Sequence, residues 1–148
     1  MKLMYSILFM FIASFVIQYF LMPPIMVNNR VFITNHVGKA YMALIMAVSM
    51  VVIEVIMHDH QYHTFSTRLY LMSGVALFAM VYFYRNQTAI DDKQYLLGMI
   101  EHHSMALLTS EKILEKTDNY HIAKLAKDII QQQSDEIRTM RELLAKMK

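Results

Sequence analysis

The chain has 148 residues, 56% of them hydrophobic and 18% charged, and a mean hydropathy of +0.31. That balance suits a membrane protein carrying one small polar module. A formal net charge of +2 with no basic face lacks the electrostatic footprint that phosphate binding requires, which excludes nucleic acid as a partner. With no cysteine there is neither a disulfide framework nor a thiolate metal site, so any soft metal ligand has to come from the 15 methionines.

In chain order, the first apolar run is Leu3 to Met22, interrupted strongly only by Gln18. As a helix it is about 30 Å long, enough to span a bilayer, and Pro23-Pro24 is expected to end or kink it. A cleaved leader needs a shorter apolar core followed by a small-residue cleavage site, so the run reads as an uncleaved anchor. The second run, Ala40 to Met57, is broken only by Ser49 and Glu54. The third, Leu69 to Tyr84, is short and borrows Tyr82 and Tyr84 as an interfacial belt. Three transmembrane helices at about 3–22, 40–57 and 69–84 make residues 1–86 a membrane anchor in contact with lipid, and leave 87–148 as a separate module.

Asp91, three residues before Gln94, has the form of a helix cap. Tyr95, Leu96, Met99, His103, Ala106, Ser110 and Ile113 then recur at helical spacing and predict one buried stripe. Thr117-Asp118-Asn119 supplies turn and cap chemistry, and a second helix is predicted from about Tyr120 to Ala145. Its stripe is Ile122, Leu125, Ile129, Gln133, Glu136, Met140 and Leu144. The expected fold is therefore all-α, with three spans followed by an antiparallel two-helix hairpin. A hairpin of this size buries little core alone, which implies completion by a second copy in a homo-oligomeric four-helix bundle or by the membrane part.

Met99, His102 and His103 lie on or beside one face of the first hairpin helix, and Gln133, Glu136 and Met140 share a face of the second. An antiparallel return brings Met99, His102, His103 and Met140 toward one another, with Glu101, Gln133 and Glu136 as further candidate donors. Imidazole suits copper and zinc, whereas thioethers favour Cu(I), so the mix points to copper, Cu(I) ahead of Cu(II) or zinc. The alternative is a polar-centred bundle in which Gln133 and Glu136 hydrogen-bond to the histidines and the methionines are core. A diiron site fits less well, because Glu101 is followed three residues on by Ser104 instead of His.

From Asp92 to Leu144, the motifs Met99-Ile100, His102-His103, Ala106, Leu125-Ala126, Ile129-Ile130, Gln133, Glu136-Ile137 and Met140 resemble the domain of unknown function 305 family. The resemblance covers about a third of the chain and implies a ferritin-like helical bundle, copper binding at Met99, His102, His103 and Met140, and a place at the periplasmic face. The leader, with Arg85-Asn86-Gln87-Thr88 at its junction, resembles the membrane-anchored subgroup. Glu101 stands where that subgroup often has Pro. In place of a Lys-rich loop between the second and third spans, this chain has His58-Asp59-His60-Gln61-Tyr62-His63.

His58, Asp59, His60 and His63 form a second, weaker candidate metal site, or else a solvated interfacial turn. Met42, Met46, Met50, Glu54 and His58 recur every four residues along the second span, a ladder that reads as packing ahead of a metal or proton path. Glu54 can pair with His58. Lys2 and Arg68 lie on the amino-terminal side of the membrane, against Arg30, Lys39, Arg85 and Lys93 on the other, so the positive-inside rule favours a cytoplasmic hairpin by two charges. The amino-terminal amine and three titratable histidines offset that margin, and the family resemblance implies an extracytoplasmic hairpin. The expected topology therefore has the amino terminus and the His58–His63 loop in the cytoplasm and Asp91 to Lys148 outside.

There is no activated-serine elbow, no Gly-rich phosphate loop and no Cys nucleophile. The expected function is membrane-anchored copper binding, buffering or tolerance. The alternatives are a helical assembly module without metal, and a metal-dependent redox enzyme.

Overall fold

The computed structural model describes residues 3–147; Lys2, counted above for topology, and Lys148, the last residue of the expected module, lie outside the described residues. The described chain is all-α, with no strand among its described residues. Contacts divide it into two compact units: the chain up to Leu21 together with Val37–Ala89, and Met22–His36 together with the chain from Ile90 onward.

In the first unit α1 (Leu3–Val16) and α4 (Thr67–Arg85) both pack on α3 (Val37–Tyr62). Ala43, Ala47 and Val55 of α3 are completely buried, because short side chains let neighbouring backbones approach closely. The larger apolar residues point the other way: Leu8, Phe9 and Ile12 of α1 and Leu71, Val75 and Phe78 of α4 are exposed. An apolar exterior around a small-residue seam is the pattern expected when lipid is the solvent. Ser49 and Ser73 return their hydroxyls to the carbonyls of Ile45 and Leu69, each at 2.8 Å, which satisfies them without water. Glu54 is held by the hydroxyl of Ser6 on α1 rather than by His58.

Three helices are long and apolar enough to cross a membrane: Leu3–Met26, Val37–Tyr62 and Thr67–Arg85. The first runs past the prolines that were expected to end or kink it. A π-helical stretch, Ile17–Leu21, immediately precedes them, and the α-helix resumes as α2 (Met22–Met26), so the irregular turn falls where the missing N–H groups of Pro23 and Pro24 disrupt regular α-helical bonding. The second extends past Met57 to Tyr62 because a helix does not end where its apolar segment does.

The second unit is built on α5 (Asp92–Leu114) and α6 (Tyr120–Lys146), two helices joined by a short turn and packed along their length as a hairpin. Both predicted caps form. Asp91 accepts from Gln94 N at 2.8 Å, and Asn119 accepts from His121 N and Ile122 N at 2.9 and 3.3 Å. Leu96, Ile100 and Leu107 of α5 meet Ile137 and Met140 of α6 in the core, with Met99, Ile130, Leu144 and Phe32 against them.

The buried stripes differ from the expected ones. On α5, Leu96 and Ser110 are buried as expected, but Tyr95 and Ile113 are exposed, and Ile100, Glu101, Ser104 and Leu107 are buried in addition. On α6, Met140 is buried as expected, but Ile122 (46%) and Leu125 (59%) remain exposed, and Ala126 and Ile137 go inside. The reason is a third element. Residues 22–36 lie along α5 as a strap and cover polar positions that an apolar stripe would leave in water. Asn28 N donates to Ser104 Oγ at 3.2 Å, Ser104 Oγ donates to Asn28 Oδ1 at 2.9 Å, and Thr34 N donates to Glu101 Oε2 at 2.8 Å. The imidazole of His36 sits where a Cβ on Gly98 would come within 3.2 Å of it, so glycine there permits the close approach.

Candidate metal centre

His103 lies on α5 with 12% of its side chain exposed. Its Nε2 is 3.1 Å from Oε2 of Glu136 on α6, and its Nδ1 is buried with no hydrogen-bond partner among the described residues. Burial lowers the basicity of this imidazole and outweighs the opposite pull of the Glu136 carboxylate; nearby His102 lowers it further. A neutral imidazole keeps one lone pair free. A buried polar atom without a partner is rare in folded proteins and calls for an explanation.

The other expected residues lie at several places in the hairpin. Met140 is a member of the buried core and Met99 packs against the same cluster, so the two thioethers are brought to one apolar centre. His102 is exposed on the outer side of α5, its ring 6.2 Å from that of His103. Gln133 is half-buried on α6. Glu101 is buried, and its carboxylate serves the strap, accepting from Thr34 N (2.8 Å) and Thr34 Oγ1 (3.4 Å). Gln132, absent from the expected set, donates to Glu136 Oε1 at 3.1 Å. The i, i+4 spacing of Gln132 and Glu136 is the signal that could have found it.

At the turn between α3 and α4 the weaker candidate site has a different occupation. Asp59 is buried and accepts from Ser66 N (2.6 Å), Ser66 Oγ (2.8 Å) and Thr64 Oγ1 (3.0 Å), with His58 Nδ1 at 3.4 Å. This carboxylate ties off the turn. His58 packs on Tyr62 with ring centroids 4.7 Å apart, while His60 and His63 are exposed. Among the described residues no three or more His, Asp or Glu side chains are gathered as a group able to hold a metal.

Fold and site together define an all-α protein with three helices apolar enough to span a membrane and a strapped helical hairpin in which the His103 side chain is largely enclosed. The profile of the family described as a domain of unknown function, DUF305, matches residues 71–146, reaching back from the hairpin into α4. An uncharacterized protein of Acanthamoeba polyphaga mimivirus is 40% identical over 143 residues, covering 96% of this chain and 93% of the relative. The chain belongs to the DUF305 family. No solved structure matches it.

Proposed function

We propose that this protein is a membrane-anchored copper-binding protein that buffers the metal or confers tolerance to it, through His103 with Met99, Met140 and the exposed His102. His103 Nδ1 carries the reading: it is a buried, unpartnered nitrogen on an imidazole that burial keeps neutral. The residues around it fit a soft ion. Met99 precedes His103 by one turn on α5, Met140 follows Glu136 by one turn on α6, both thioethers belong to the hairpin core, and the chain has no cysteine, a donor set suited to Cu(I) ahead of Cu(II) or zinc. When bound, the metal would supply reversible soft-ligand coordination, and the protein's part is to hold the imidazole neutral and shield the site from water. The three apolar helices would keep the hairpin at a bilayer surface, on the extracytoplasmic side.

The test is competition titration of the full chain in lipid nanodiscs against a chromogenic Cu(I) chelator. Leu conserves volume and helix propensity at both methionines, so Met99→Leu with Met140→Leu should weaken Cu(I) binding by about tenfold or more, no less than the loss of an outer-shell partner, while leaving helicity unchanged. Undiminished binding would assign both methionines to packing.

A second reading is an assembly module without metal. The exposed Ile122 and Leu125 on α6 favour it, since they form an apolar line that the hairpin does not cover.

A further inference from the structure

Between the strap and the carboxy-terminal half of α6 lies an open groove of about 490 Å³. Phe32 of the strap, with Ile137 and Ala145 of α6, gives it an apolar lining, and Arg138, Arg141 and Glu142 supply its charges. Phe32 also packs against the hairpin core, which holds this wall in place. The two arginines differ. Arg138 is paired with Asp135 at 2.8 Å, whereas Arg141 makes no ion pair among the described residues and sets its guanidinium over Phe32, 6.0 Å from the ring centroid. A guanidinium held over an aromatic ring keeps its planar fork of N–H donors available to two oxygens of a phosphate. Phe32 belongs to the segment between the first two candidate spans, five residues before Val37. Five extended residues reach at most about 18 Å, so in a membrane-inserted chain Phe32 stays near the headgroup layer by chain length alone.

We propose that this groove binds an anionic phospholipid, with the phosphate on Arg141 and the first part of an acyl chain against Phe32 and Ile137. It rests on the reading of the chain as membrane-inserted and is independent of copper. Charge selects the occupant. A zwitterionic headgroup brings a cation that Arg138 and Arg141 repel, and an anionic headgroup does not. Each basic side chain at a membrane surface favours anionic lipid about fivefold, and Lys146, exposed one turn beyond Glu142, adds to the same side. A nucleic acid would need basic residues along many phosphates, but a single headgroup needs no more than this groove holds.

The full chain in neutral detergent is titrated with phosphatidylglycerol or with phosphatidylcholine of the same acyl chains, and bound lipid is counted by native mass spectrometry. Phosphatidylglycerol should bind the parent more tightly. Arg141→Gln should weaken it about tenfold at unchanged helicity, and Phe32→Leu should weaken it by less. Arg68→Gln, which removes an exposed arginine at the start of α4, is the control that should leave it unchanged. No preference for phosphatidylglycerol in the parent, or equal losses in Arg68→Gln and Arg141→Gln, would overturn the site in favour of diffuse charge. Inorganic phosphate that displaces the lipid at equal concentration would reassign the groove to free phosphate and overturn the lipid. Carbonate extraction tests the membrane reading separately: a chain that it releases from membranes is not inserted, whatever its lipid preference in detergent.

Discussion

Glu101 and His103 stand two residues apart on α5 and do opposite work. The Glu101 carboxylate is committed to the backbone and hydroxyl of Thr34, so it secures the strap; His103 keeps an uncommitted nitrogen inside. Ser104 beside them is completely buried and exchanges two hydrogen bonds with Asn28, accepting from its N–H and donating to its side-chain oxygen. Ser104→Ala leaves the half-buried Asn28 amide oxygen without that donor and the Asn28 N–H without its side-chain acceptor. It should lower stability by about 1–2 kcal/mol, read as a shift in the denaturation midpoint of the full chain in detergent. Thr109→Ala, at an exposed hydroxyl bonded only within its own helix, is the control that should change stability little.

At the scale of elements, α6 carries more apolar surface than the hairpin consumes. Ala126, Ile137 and Met140 face α5, while Tyr120, Ile122 and Leu125 near its start are exposed. Ile122 and Leu125 belong to the stripe that the 3–4 spacing predicted to be buried, and of that stripe Met140 is the residue that is fully inside. Both lines satisfy helical periodicity, and only the packing partner distinguishes them. If the outer line is covered by a second copy, Ile122→Glu with Leu125→Glu should convert the chain from an oligomer to a monomer in sedimentation at matched concentration. Acidic residues in the opening turns of a helix suit its dipole, so helicity should persist. A parent chain that already sediments as a monomer would remove self-association from the account. The α3–α4 turn shows the same limit of spacing arguments. His58, Asp59, His60 and His63 read equally as ligands or as a turn, and the hydrogen bonds to Ser66 and Thr64 assign Asp59 to turn closure.

For the whole molecule, the open question is which side of the membrane receives the hairpin. Arg30, Lys39, Arg85 and Lys93 argue for the cytoplasm, yet Lys39 is buried, with its ammonium 5.1 Å from the ring centroid of Tyr19, so it presents little free charge to a surface. Discounting it narrows the charge margin to one before the histidines of the α3–α4 turn are counted. Protease added to intact right-side-out cells should therefore trim the module from Asp91 onward, while the His58–His63 turn stays protected. Cleavage only after the membrane is opened would show that the charge rule was the better guide.

Some of this was determined by the sequence alone. Apolar runs long enough to span and the Asp91 and Asn119 caps are local properties, set by residues within a few turns of one another, and so were the choice of helix throughout and the family motif from Met99 to Met140. What only tertiary structure decided are the facts that depend on residues far apart in the chain. The strap of residues 22–36 binds α5 through Asn28 and Thr34, neither of which carries a periodic signal, and it changed which residues of the hairpin are buried. It took Glu101 as a strap anchor, and the packing of α5 on α6 left His103 with one nitrogen on Glu136 and the other unpartnered. Periodicity states that a face is apolar. Which neighbour covers it, and which polar atom is left unmatched inside, is settled by the three-dimensional competition for partners.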